Sequence, residues 1–508
     1  MFNFIKKAEN FYRPPMKPKS NLPKVPIEKS LELNLERLQK IYDNSSDLTV
    51  KRMNLKLSDG TVEIAIITME GMVDKEILAT SITNPISTYS EIAFSDSDIF
   101  TIVEKDIITN CDHLTVKYID DVTSFIMSGF ACVLIDGCEK GLAVGVQGYS
   151  FRSVSEPDTD VLQRGSREGF VEPIRVNISM VRRRLRNTKL KFETMNIGDI
   201  SQTEICLCYL TDVVSDEILD EVKSRLEKVN IDTLLASGYL VSYLESDGSN
   251  TLFSGVGITE RPDTACAKMC EGKVVILVDG TPSALIVPHI MVENFQTLDD
   301  YSERPYFATA TRWLKYISFV ISILLPGLYV ALASFNPEFF PAQLLTKVAT
   351  SIAKTPFSAF SEVLLFTFIY EIMREAGLRL PKTLGHAVSI IGGLVIGDTA
   401  VSSGFIGAPT LMIVALTVIC SYVIPDLYAS IAILRFLFII FGGFWGLWGI
   451  FLLLCILTIN ICSKESFGVP FSSPFSPLSL FGLRDVLVRA DWQTLSRRQV
   501  TVQDLKEG

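Results

Sequence analysis

The sequence predicts an α/β soluble N-terminal region of two subdomains followed by an α-helical transmembrane domain. Three observations predict it. Two long stretches near the C-terminal end carry no charge, residues before about Asp300 mix charged and apolar side chains in globular fashion, and strand-like and helix-like periods alternate within that first part. Of 508 residues, 48% are hydrophobic, and the mean hydropathy of +0.32 leans away from an ordinary cytosolic protein. The cause is local: Tyr316 to Phe335 and Phe436 to Ile461 are free of charge, and each meets the requirement of about 20 apolar residues to cross a hydrocarbon core.

Residues 1–30 read as a basic flexible arm, rich in Pro and Lys, that cannot bury a core. MFNFIKKAENFYRPPMKPKSNLPK lacks the apolar centre of a signal peptide, so the N-terminal region is expected on the cytosolic side. Subdomain 1 is placed at 31–160, with LELNLERLQKIY helical and TVEIAIITMEG, FIMSGFACVLIDG and GLAVGVQGY strand-like. A linker helix region is placed at 161–191. There Ile174, Ile178, Val181 and Leu185 form one helical stripe and Pro173 is suited to start it. Subdomain 2 covers 192–300: EICLCYLTDV is a strand, SDEILDEVKSRLEKV a helix with Ser215 as N-cap, and KVVILVDG a buried strand ending in an Asp-Gly turn. Residues 1–300 are expected to fold alone.

The transmembrane domain, 301–462, holds five apolar stretches at 316–335, 358–373, 384–405, 408–424 and 431–461. The tail, 463–508, is Pro/Ser-rich and basic, with Arg484, Arg489, Arg497 and Arg498, which favours the cytosolic side. Five crossings would put it opposite the N-terminal region, so one stretch must fail to span. The Gly-rich third is the expected one, with 358–373 the second choice.

That third stretch contains Gly392, Gly393, Gly397, Gly404 and Gly407 beside one acid, Asp398. Small residues let helices approach closely, and non-helical backbone at membrane depth is tolerated only inside protein or along a water-filled cavity. An unpaired charge at mid-bilayer costs at least about 2.5–3.5 kcal/mol. Asp398 therefore either caps a broken helix near an interface or lines a path for an ion or polar solute. Glu362 and Glu371 are secondary acidic candidates, either an acid-lined stripe or headgroup-level residues. In REGFVEPIRVNISMVRRRLRN, Arg175, Arg182, Arg183 and Arg186 crowd one helix side. Two readings stand: a solvated face answering nearby acids, or a coupling or anion-binding surface between subdomains drawing on Arg164, Glu168, Glu172, Arg175, Arg182 and Arg183.

A net charge of −10 argues against nucleic acid as a partner. The ten cysteines lack the spacing of a disulfide framework or, with three scattered histidines, of a metal site. No phosphate-binding loop, nucleophile elbow or zinc pair occurs. No catalytic residue, cofactor or metal is expected.

The runs YSFRSVSEPDTDVLQRGSREGFVEPIRVNISMVRRRLRN, ITERPDTACAKMCEGKVVILVDGTPSALIVPHIMVENF and GLRLPKTLGHAVSIIGGLVIGDTAVSSGFIGAPTLMIVALT resemble signature blocks of the A subunit of GerA-type spore germinant receptors. The similarity runs from about residue 30 to the tail; Ser166 stands where the family usually has Pro. The resemblance implies a spore inner-membrane protein acting with a permease-like B subunit and a lipoprotein C subunit. It also implies a homo-oligomeric ring, with five copies the expected number, around a path for monovalent cations that opens when nutrient is sensed. In such a ring the third stretch would surround the pore, and Ser389, Gly393, Ile396, Gly397 and Asp398 are the lining candidates. A secondary transporter is the alternative, although only one broken segment is visible where transporters pair two. A membrane-tethered enzyme comes third.

Overall fold

The computed structural model describes residues 24–57, 60–88, 99–108, 112–148, 164–245, 252–380, 397–479, 482–495 and 501–507, with Pro157, Asp160 and Leu162. These fall into two compact units divided between Pro288 and His289, with residues 252–255 grouped with the second and 501–503 with the first.

The first unit holds two five-stranded sheets. One comprises β1 (Leu48–Leu57), β2 (Gly60–Met69), β3 (His113–Val116), β4 (Phe130–Ile135) and β5 (Gly141–Gly145) in the order β1-β2-β4-β5-β3. The other comprises β6 (Leu190–Ile197), β7 (Thr203–Leu210), β8 (Gly257–Thr259), β9 (Val274–Val278) and β10 (Ala284–Val287) in the order β6-β7-β9-β10-β8. The α/β subdomains are thus present, with every ladder antiparallel. The order is the same in both, and so is the placement of helices. Helix α1 (Leu31–Ile41) precedes the first sheet and α2 (Ile119–Ile126) lies between β3 and β4; α3 (Ile174–Arg184) precedes the second sheet, and Pro262–Cys270 lies between β8 and β9.

The correspondence extends to single hydrogen bonds, 143 residues apart. Asp136 Oδ1 accepts from the Leu31 amide and Asp279 Oδ1 from the Ile174 amide, both at 3.0 Å. Asn34 in α1 bonds both backbone groups of Glu28, and Asn177 in α3 both backbone groups of Val171. Each aspartate follows its buried strand and satisfies an amide at a helix start, where intrahelical partners are lacking. The N-terminal region is a duplicated module.

Two sequence readings change here. Helix α3 is not a linker: Ile174, Ile178 and Val181 are buried with Phe192, Cys206, Cys208 and Leu277 in the second sheet's core. It opens the second module because its apolar stripe has a sheet to cover. FIMSGFACVLIDG is not one strand, for Phe125 and Ile126 end α2 and the strand starts at Phe130. Gly129, at φ +83°, permits the reversal between them.

The second unit is helical. Helix α4 (Pro305–Phe335) and helix α5 (Tyr428–Ser463) are long and apolar enough to cross a membrane. They pack through glycine: a β-carbon built on Gly327 would lie 2.4 Å from the Phe438 carbonyl oxygen, and one on Gly442 2.6 Å from that of Gly327. Between them come Ala342–Lys354 and Ala359–Arg379, bent by 76° at their junction, so that they make one broken span or a re-entrant pair. Of the third stretch, 384–396 lie outside the described residues, and Gly397–Ser402 form a short helix. The fourth is a helix of 14 residues, Ala408–Ser421; at 1.5 Å per residue it is roughly 21 Å long, short of a full crossing. Part of the tail is ordered. Glu465–Pro470 form a small hairpin, and Phe471 is fully buried with Phe253 and Phe295.

Candidate functional site

Charge buried inside the helical unit is the feature that calls for explanation. Glu362 lies in the first turn of Ala359–Arg379 with no exposed surface. Its Oε2 accepts from the Thr410 hydroxyl at 2.8 Å and from the Gly407 amide at 3.4 Å, at the start of helix Ala408–Ser421. A carboxylate there satisfies donors that a helix start leaves open. Thr410 also meets the Tyr329 hydroxyl at 3.3 Å. The other oxygen, Oε1, is buried without a hydrogen-bond partner among the described residues.

Glu371 makes a different cluster. Tyr428 donates to both its oxygens at 2.9 and 2.8 Å, Arg374 pairs with it at 3.2 Å, and Arg435 of α5 approaches to 3.5 Å. Arg435, buried in an otherwise apolar helix, donates from Nε to the Ser322 carbonyl at 3.2 Å. Its Nη2 finds no partner among the described residues. Two helices therefore share one ion-pair cluster, and a hydrogen bond from Arg435 ties it to α4. The two acids do not make a stripe, because nine residues at 100° each put them on opposite helix sides, with different partners. Arg435 escaped the sequence reading because it sits one residue before the charge-free stretch; a single arginine between Leu434 and Phe436 was the available signal.

A third cluster fastens the tail. Arg312, wholly buried, pairs with Asp300 at 3.0 Å and Asp485 at 3.1 Å, while Lys315 reaches Asp300 at 3.2 Å. Of the lining candidates, Ser389, Gly393 and Ile396 lie outside the described residues. Gly397 is buried, and Asp398 is exposed on the single chain, in the first turn of its helix.

In the first unit, the Arg182 guanidinium is fully buried against Asp47, Nε to Oδ2 at 2.9 Å and Nη2 to Oδ1 at 3.0 Å. It also donates to the carbonyls of Asn187 and Leu190 and stacks on Phe192, 4.6 Å from the ring centroid. Asp47 belongs to the first module and Arg182 to the second. Arg175 likewise reaches Glu70 of the first module at 3.2 Å and Glu204 of the second at 2.9 Å. Arg183 and Arg184 both hold Glu168, and Ser166 Oγ accepts from Arg184 at 2.7 Å. Glu172 and Arg164 are exposed; the Glu172 carbonyl accepts from the Gly280 amide. Nearby, Asp160 accepts from Thr259, and burial raises its carboxyl above the ordinary value against the pull of that bond and of Arg261.

A duplicated sheet-and-helix region, followed by helices apolar enough to span a membrane and carrying internal charge, defines the class as an integral membrane protein with a large extramembrane part. Residues 36–501 match the family described as Bacillus/Clostridium GerA spore germination protein, and the chain belongs to that family. It is 38% identical to spore germination protein KA of Bacillus subtilis over 94% of this chain and 87% of that one. With spore germination protein GerLA of Bacillus cereus the identity is 32%, over 92% and 95%. The crystal structure of the N-terminal domain of the A subunit of the Bacillus megaterium spore germinant receptor GerK3 matches with a TM-score of 0.43 and 26% identity, covering 53% of this chain and 99% of that one.

Proposed function

We propose that this chain is the A subunit of a nutrient germinant receptor in the spore inner membrane, and that copies of it form a ring around a path for monovalent cations. The observation that carries this reading is charge retained inside apolar helices, Glu362, Glu371 and Arg435, in a chain of the GerA family. Intramembrane ionisable groups are costly and mark ion or proton pathways or the elements that gate them. The ring, its five copies, the B and C partners, and the placement of the N-terminal region and tail on the spore-core side belong to the same proposal. Asp398, exposed on the single chain, would then recur around the axis as a ring of acids.

Reconstitution with the partner subunits and measurement of cation flux tests it. Asp398→Asn keeps side-chain size and loses the charge, so it should lower conductance or shift selectivity with assembly intact. Ile396→Ala should give leak without nutrient, seen in spores as lost dormancy. If neither changes flux in a normally assembled complex, the lining role of this segment is refuted.

A further inference from the structure

Glu362 is a fully buried acid of the helical unit to which the described residues bring no basic side chain. Glu371 has two arginines, Asp300 an arginine and a lysine, and Asp485 an arginine. Among the described residues no basic side chain pairs with Glu362, although it is fully buried and its Oε1 lacks a partner. A buried charge is normally paired or holds a cation. Apart from the Gly407 amide, the surroundings supply oxygen. Thr410 and Tyr329 present hydroxyls, and a β-carbon built on Gly407 would meet Ser351 Oγ at 2.6 Å and Glu362 Oε2 at 3.4 Å, so both oxygens converge on that glycine. Gly407 leaves the space that any side chain would fill.

We propose that Glu362, with Thr410, Tyr329 and Ser351, binds a monovalent cation inside the helical unit. One carboxylate among neutral hydroxyls matches a single positive charge. A divalent ion would leave an excess charge in an apolar interior, and hard divalent cations gather several carboxylates. The site couples the first turn of Ala359–Arg379 to the start of Ala408–Ser421, so occupancy ties these two helices together. Its role in germination rests on the cation-pathway reading, but binding does not: a chain that binds and does not conduct refutes the pathway and leaves the site.

The test is thermal unfolding of the full-length chain in detergent, titrated with NaCl or KCl against N-methylglucamine chloride at constant ionic strength. The melting temperature should rise with the logarithm of sodium or potassium concentration, as expected for a ligand that binds the folded state. Glu362→Gln should abolish that rise, whereas Glu375→Gln, at an exposed acid paired with Arg379, should keep it. Should Glu362→Gln fail to fold, Thr410→Val removes one hydroxyl at equal size and should move the titration midpoint to higher salt. A melting temperature indifferent to the cation, a rise confined to CaCl2, or an unchanged titration in both folded variants would overturn the site.

Discussion

The two modules of the N-terminal region share sheet order and helix anchor, yet their first helices are dressed differently. Where the second has Arg175, Arg182, Arg183 and Arg184, the first has Glu32, Gln39, Lys40 and Ile41 at the corresponding positions. The fold itself asks only for the apolar stripe, Leu31, Leu35 and Leu38 in one and Ile174, Ile178 and Val181 in the other, together with the Asn and Asp anchors. The arginines are therefore surplus to the module, and their partners say what they do. Arg182 crosses to Asp47 and Arg175 to Glu70, so the second helix joins the modules, while Arg183 and Arg184 hold Glu168 in its own approach segment.

The largest effect expected from breaking this comparison is loss of folding. Ile178→Asp puts a carboxylate into the second core, and Leu35→Asp does the same to the first. Each should abolish cooperative urea unfolding of residues 1–288, which carry both cores. Next is Asp47→Ala, which strands a buried guanidinium and should cost about 3–5 kcal/mol in the same measurement. Replacing the pair together, Asp47→Leu with Arg182→Met, should recover much of that loss, since both charges then leave the interior. Recovery with the modules still docked by small-angle scattering would show the pair to be dispensable for the joint; recovery with separated modules would show that it sets the joint.

The anchors sharpen the likeness rather than the difference. Asn34→Ala and Asn177→Ala each leave a backbone donor and acceptor unpaired, and each should cost about 1–3 kcal/mol. Unequal costs beyond that range would mean that the duplicated anchor has diverged in importance. The smallest effect belongs to Arg183→Ala. The pair with Glu168 is partly exposed and Arg184 remains, so stability should change by less than about 1 kcal/mol. In spores the same substitution tests the coupling reading of this basic face, which expects slower nutrient-triggered germination.

Much of this was legible from periodicity. The stripe at Ile174, Ile178 and Val181, the buried strand before Asp279 and the two long apolar helices follow from local pattern. The duplication was not, because its repeated elements are apolar positions any helix or strand could fill, and the paired Asn and Asp anchors take on meaning only when their bonds are seen. Pattern also failed to separate Arg182 from Arg183. The two are adjacent, yet one is enclosed and the other half-buried, since neighbouring positions on a helix point about 100° apart.

By itself, then, the sequence determined most of the strands and helices and the two long apolar runs, since those depend on the spacing of apolar side chains along the chain. It also carried, through its three signature blocks, the resemblance to the GerA family. The tertiary structure decided which charges are satisfied. Asp47 and Arg182 lie 135 residues apart and close a complete pair, whereas Glu362, 48 residues from Thr410, keeps one oxygen unpartnered among the described residues. Compensation of a buried charge depends on what the fold brings within about 3 Å of it, and local sequence does not specify that distance.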